Sequence, residues 1–210
     1  PLLWLLAWQY LRAGVGFVAM LDTTPRGRLS KALRHAPDFA RSPYFAKGRE
    51  LVREVRRGAN VIEFVTTLAI DGDHAARVVR YTADGREHAI PVDQVMLHQG
   101  VVPDVNLAQA AGCVLAWSPA QACFAPVVDG WGGTAVAGLY VAGDGAGIAG
   151  ALAAVPRGRL AALAVANALG RINHRTRDQI ARRDRADLAV AQRGRNFLDV
   201  LYRPAEAFLL

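Results

Sequence analysis

Residues 139–150 read Leu-Tyr-Val-Ala-Gly-Asp-Gly-Ala-Gly-Ile-Ala-Gly, and an Ala- and Leu-rich run continues to about Leu169. An apolar strand that passes through a glycine turn into a helix constrains this chain more than any other feature. Glycines let backbone approach a ligand closely. The start of the helix adds unpaired N–H groups and a positive dipole end, which suit an anionic or polar ligand. Gly145, Ala146, Gly147, Ile148 and Gly150 fit G-x-G-x-x-G, the spacing of the dinucleotide fingerprint. One requirement fails, because no strand ending in Asp or Glu follows about 20 residues later. Residues 151–169 stay helical and lead into a basic helix. The acidic residue stands at the strand end itself, as Asp144, where it can accept hydrogen bonds from ligand hydroxyls. The bland alternative is a strand–helix contact that binds nothing, but the glycines at 143, 145, 147 and 150 with an aspartate exceed what packing needs.

The 210 residues make one large domain or two small ones. At 52% apolar and 20% charged, the chain can build a core and is neither disordered nor collagen-like. The opening, residues 2–13, reads as a helix that is apolar nearly all round and so largely buried. Gly14 stops it, and an apolar strand over 16–21 ends at Asp22. That is the second half of a βαβ unit, whose first strand and glycine turn would precede Pro1. A basic stretch over 26–41 reads as a short helix in a loop. A helix over 43–57 then closes at Gly58, and a strand follows over 61–65. Short strands over 66–71, 75–81 and 87–91 alternate with the turns Asp71-Gly72-Asp73 and Ala83-Asp84-Gly85, forming a small antiparallel meander. Residues 93–97 read as another strand, 105–111 as a helix, 114–117 and 123–127 as strands, and 139–142 as a buried strand. The expected division is 1–92, 93–170, and 171–210 as a basic helix and C-terminal connection.

The stretch from Thr134 to Asp144 resembles the second flavin-contact motif of the two-dinucleotide-binding-domain flavoproteins: a Thr, a short gap, an apolar strand, then Gly-Asp. The resemblance implies that Gly143 and Asp144 hold the ribityl–pyrophosphate part of FAD. It also implies that the helix start at Gly145, Ala146, Gly147 and Ile148 faces the pyrimidine end of the flavin. Upstream, Asp93 to Pro103 looks like the strand that leaves the NAD(P)-type domain and re-enters the FAD domain, with Gly100 and Pro103 as its Gly-x-x-Pro turn and His98 beside it. In the opening, Asp22 sits where an acidic residue takes an adenosine ribose, while Arg26 and Arg28 would instead suit a 2′-phosphate. Whether NAD(P)H binds stays open, because some members have lost it.

The segments LDTTPR, LHQGVVPDVNL, VAGDGAGIAGALAAVPRGRLAALA and FLDVLYRPAEAF narrow the resemblance to the group of opine oxidase A subunits and the related hydrogen cyanide synthase flavoprotein subunit. The implied fold is α/β: parts of FAD-binding and NAD(P)-binding Rossmann-like domains, with the meander. The implied activity is FAD-dependent oxidation of a C–N bond in an opine-like N-substituted amino acid or glycine. The implied partner is an amino-acid-oxidase-like flavoprotein subunit, from which this one relays electrons. In that group a Cys-rich iron–sulfur segment often follows the Leu-Tyr-Arg-Pro stretch. A chain that opens at Pro1, without the N-terminal FAD glycine loop, is expected to be an internal fragment and inactive alone. No catalytic residue identifies itself. The alternative enzyme reading is a stand-alone NAD(P)H:acceptor flavin reductase.

Other chemistries find little support. Cys113 and Cys123 exclude a disulfide-dense scaffold and a four-Cys metal site, and the five histidines show no metal-ligand spacing. There is no G-x-S-x-G. The tryptophans read as core or loop packing. The net charge is +7, but residues 171–195 carry eight arginines against three aspartates, so the basic footprint belongs to one helical stretch. That stretch has no aromatic residue of its own, which argues against a nucleic-acid-binding module. It reads as a solvated face or subunit contact. The apolar residues behind it, Phe197, Leu198, Val200, Leu201 and Tyr202, together with the end at Phe208-Leu209-Leu210, are expected to need a partner surface. The opening apolar run is broken at Gln9 and Arg12, well short of the roughly 20 residues of a membrane span. It also lacks the basic flank and cleavage site of an export signal. The expected location is the cytoplasm, without nucleic acid, metal or transmembrane segment.

Overall fold

The computed structural model describes residues 1–208, so Leu209 and Leu210 lie outside the described residues. The chain divides into two compact units, one holding residues 1–37, 44–100 and 196–208, the other 38–43 and 101–195. Together they mix helices with small open sheets.

The first unit opens on helix α1 (Leu2–Arg12). It ends where expected: Gly14 takes φ +76, the Gly14 N–H donates to Leu11 O and the Val15 N–H to Tyr10 O, pairing the last carbonyls. Strand β1 (Met20–Leu21) follows, then α2 (Arg28–Ala32), α3 (Ala36–Ala40), α4 (Tyr44–Gly58) and β2 (Val61–Ile62). β1 and β2 pair in parallel, Met20 opposite Val61 and Leu21 opposite Ile62. The parallel element expected from the sequence is therefore present but short. Phe64 adopts φ +62, which stops β2 before residue 65. α1 packs on α4 around Trp4, Ala7, Met20, Leu51 and Val55. The expectation that α1 is largely buried holds only for Trp4 and Ala7; Leu3, Leu5, Leu6 and Trp8 are half-buried because α1 meets neighbours along one side.

The meander forms as expected. β3 (Thr67–Asp71), β4 (Val78–Ala83) and β5 (Arg86–Pro91) pair antiparallel, in that order. Asp84 (φ 52) and Gly85 (φ 73) make the two-residue turn between β4 and β5. Tyr81 lies opposite His88 and stacks on it at 5.1 Å. Val65, Tyr81 and Ala83 join Leu21, Ile62 and Ile90 in a second small core.

In the second unit, α5 (Asn106–Ala110) leads to the hairpin β6 (Leu115–Ser118) and β7 (Cys123–Pro126). The long helix α6 (Ala151–Ala168) and the charged helix α7 (His174–Gln192) pack together. The buried stripe of α6 is Ala153, Pro156, Leu160, Ala161 and Ala164, and α7 answers with Ala181, Asp184 and Ala191. Small side chains on both stripes let the backbones approach. Asn173 caps α7 by accepting from the Thr176 N–H at 2.9 Å. α8 (Arg195–Leu201) carries the chain back into the first unit.

Two expected strands do not form. Residues 93–97 are irregular, with Met96 and Leu97 exposed. Residues 139–142 make one isolated bridge, Gly133 to Tyr140, and are half-buried or exposed. An apolar run becomes a strand only when another strand accepts its hydrogen bonds, and among the described residues neither run has one. The C-terminal expectation is corrected for two of its residues, and Leu209 and Leu210 of the expected apolar end lie outside the described residues. Phe197 is buried, and Tyr202 packs within its own unit against the α1–α4 core.

Tyr202 yields a pH prediction. Burial, then the Asp22 and Glu63 carboxylates, push its phenol up to about 12, while Arg56 opposes them. The unfolded chain releases this proton near pH 10, so between about 10 and 12 it binds fewer protons than the folded one. Stability contributed by the neutral phenol is present below pH 10 and declines as pH rises to 12, by about 2–3 kcal/mol in all. Tyr202→Phe should abolish the last phase of phenolate absorbance and flatten this decline.

No described helix is long and apolar enough to cross a membrane.

Candidate cofactor-contacting loop

Two loops prepare this site. Asp129 sets the first, its Oδ1 accepting from the Trp131 N–H and the Gly133 N–H at 2.8 Å each. The Gly132 N–H donates to Asp129 O at 3.1 Å. Gly132 stands at φ +80, and its backbone runs so close to the facing chain that a Cβ there would sit 2.6 Å from Val141 O. The Val141 N–H in turn donates to Gly132 O at 2.8 Å. Residues 129–134 thus hold 139–141 extended without a strand partner. Thr134 Oγ1 adds a bond to Leu139 O at 3.0 Å.

The second loop is the glycine run itself. Gly143–Ala146 forms one 3-10 turn, Gly147 takes φ +113 and Gly150 φ +88, and α6 begins at Ala151. Three side chains fix this loop. Asp144 Oδ1 accepts from the N–H groups of Ala149 and Gly150, at 3.0 Å each. Arg157 Nη1 donates to Gly143 O at 3.0 Å and Gly147 O at 2.6 Å. Gln121 Nε2, from the turn between β6 and β7, donates to Ile148 O at 2.7 Å. Burial lowers the Arg157 guanidinium from its usual range, Asp144 draws it back up, and Arg195 pushes it down. It remains a cation at neutral pH.

The structure therefore brings Gly143, Asp144, Gly145, Ala146, Gly147 and Ile148 together in one half-buried loop of the second unit. Asp144, the expected ligand acceptor, also serves as the acceptor that ties off two amides ahead of α6. A Cβ built at Gly147 would meet nothing within 4 Å, so the loop has an open face there. Pro103 belongs to the same unit and is buried, whereas Gly100 belongs to the first. Asp22 also lies in the first unit, where its Oδ1 accepts from the Thr24 N–H at 2.9 Å and its backbone joins Ile62 and Val65. Arg26, the candidate for a 2′-phosphate, pairs with Asp84 and lies over the Phe64 ring at 4.6 Å. Half-buried His98 is in the first unit, and burial lowers its imidazole from the ordinary value. Among the described residues, no group of three or more His, Cys, Asp or Glu could hold a metal ion.

Sequence reasoning missed Arg157, Gln121 and Trp131. Trp131 lies between two arginines of α7, Arg177 at 4.2 Å and Arg185 at 4.4 Å from its ring. The aromatic partner of the basic helix thus comes from the Asp129 loop. Two cation–π contacts on a half-buried ring are worth about 1–2 kcal/mol together. Trp131→Ala should lower the stability of the second unit by about that amount, measured by denaturant titration. Trp131→Phe should recover part of it.

Similarity along its whole length links the chain to one class of proteins, the A subunits of opine oxidases. The opine oxidase A subunit of Agrobacterium tumefaciens (strain Ach5) is 47% identical over 209 residues, covering 100% of this chain and 42% of that protein. The opine oxidase A subunit of Rhizobium meliloti is 46% identical over 212 residues, with 40% of that protein covered. Its counterpart in Rhizobium meliloti (strain 1021) is 37% identical over 213 residues, with 46% covered. The resemblance to these A subunits in the sequence is thereby borne out, and the chain spans less than half the length of these relatives. No protein-family model matches the chain.

Proposed function

We propose that this chain is the cofactor-contacting part of an FAD-dependent oxidoreductase subunit of the opine oxidase type. The observation that carries the reading is similarity over the whole chain to relatives named as opine oxidase A subunits, with the glycine loop and Asp144 inside the matched span. In this reading the loop and α6 are the second half of an FAD-binding Rossmann-like domain. The residues fit such a group. The loop offers an open face at Gly147 and a helix start behind it, and Asp144 and Arg157 keep the loop rigid without closing that face. Gly143, Asp144 and the backbone of Gly145, Ala146 and Ile148 would hold the cofactor, the Ala149 and Gly150 amides being taken up by Asp144. FAD, when bound, supplies the two-electron acceptor for oxidation of a C–N bond. This chain's residues would bind and orient it. The substrate is an opine-like N-substituted amino acid or glycine, oxidised with an amino-acid-oxidase-like partner subunit.

The alternative, a stand-alone NAD(P)H:acceptor reductase, gains no support from the first unit, where Asp22 and Arg26 already have partners within the chain. The two readings separate in one experiment. The full-length protein, co-expressed with its partner subunit, should lose flavin absorbance when an opine is added anaerobically. Bleaching by NADH or NADPH, with none by any opine, would favour the alternative.

A further inference from the structure

We propose that Arg157 is the positioning residue of the cofactor loop, turning the carbonyls of Gly143 and Gly147 toward α6 so that the opposite face of the loop is left for the flavin. This rests on the FAD reading above. The argument is geometric. One guanidinium nitrogen reaches two carbonyls that lie on either side of the Gly145 turn, at 3.0 and 2.6 Å. Both acceptors belong to glycines at positive φ, Gly143 at +69 and Gly147 at +113, whose peptide planes have no side chain of their own to orient them. Asp144 holds the amides at the far end of the same loop, and Gln121 holds the next carbonyl along, that of Ile148. With carbonyl oxygens drawn inward, the negative ends of these peptides point away from the open side at Gly147. A phosphate- or pyrimidine-bearing ligand would otherwise meet them as repulsive partners. Arg157 is set for this by α6 itself, on which it follows buried Pro156 in the second turn. A lysine could also donate twice, but from a point charge on a flexible stem.

The test uses the full-length protein with Arg157→Met, which keeps the stem and removes the donors, and Arg157→Lys. In the apoprotein, Arg157→Met should speed amide exchange across residues 143–150 about tenfold or more, with exchange in α7 unchanged. The dissociation constant for FAD should rise by about tenfold, since hydrogen bonds from a charged donor are lost. The absorption spectrum of the residual bound flavin should shift toward that of free flavin. Arg157→Lys should recover part of each effect. Wild-type exchange in the loop of Arg157→Met, or FAD affinity equal to that of wild type, would overturn the proposal while leaving the flavin reading intact. Failure of the wild-type protein itself to take up FAD would overturn that reading, and this proposal with it.

Discussion

Gly132→Ala should destabilise the second unit by about 2–4 kcal/mol. Two costs combine. The residue sits at φ +80, where a Cβ costs about 1–2 kcal/mol. That Cβ would also stand 2.6 Å from Val141 O and 3.6 Å from the Ala161 methyl. The first neighbour is backbone and cannot rotate away. Relief requires residues 139–141 to move, and they lead directly into Gly143 and Asp144. The variant should therefore unfold earlier in urea and lose its cofactor together. Gly138→Ala is the control, since a Cβ there meets nothing within 4 Å although φ is +77. It should show the backbone cost alone.

Asp144→Ala should cost about 2–3 kcal/mol of stability and weaken FAD retention by about tenfold or more. Its Oδ1 is the shared acceptor of the Ala149 and Gly150 amides. Removing it orphans both donors beside a helix start. It also leaves the half-buried Arg157 guanidinium without the nearby anion that favours its charge. Asp144→Asn keeps an acceptor oxygen but not the charge, and should fall between wild type and Ala. Flavin content after exhaustive dialysis of the full-length variants reads the binding part. Occupancy unchanged in Asp144→Ala would remove Asp144 from the contact set.

Much of the architecture was legible because its signals are local. Glycine stops fixed the end of α1 and the end of α5 before Gly112, and the Asp84-Gly85 turn fixed the register of β4 and β5. The strand-like runs 93–97 and 139–142 misled because an apolar run does not by itself supply a partner for a strand's hydrogen bonds. Val141 is held by the Gly132 backbone rather than by a neighbouring strand. The glycine loop and Asp144 were likewise visible, since glycines before an Ala-rich helix have few other uses. The residues that shape the loop were not. A side-chain donor reaching a distant carbonyl, as Gln121 does to Ile148, leaves no periodicity. Trp131 could have been found from the Asp-Gly-Trp-Gly-Gly turn, which presents a large aromatic at a tight bend, taken with Arg177 and Arg185 at equivalent turns of one helix face.

The central claim is that the loop over residues 143–150 contacts the flavin. Amide exchange of the full-length protein with and without FAD tests it most directly. The account predicts slowed exchange at residues 143–152, with α7 unaffected. FAD bound at full occupancy with exchange in this loop unchanged would contradict it.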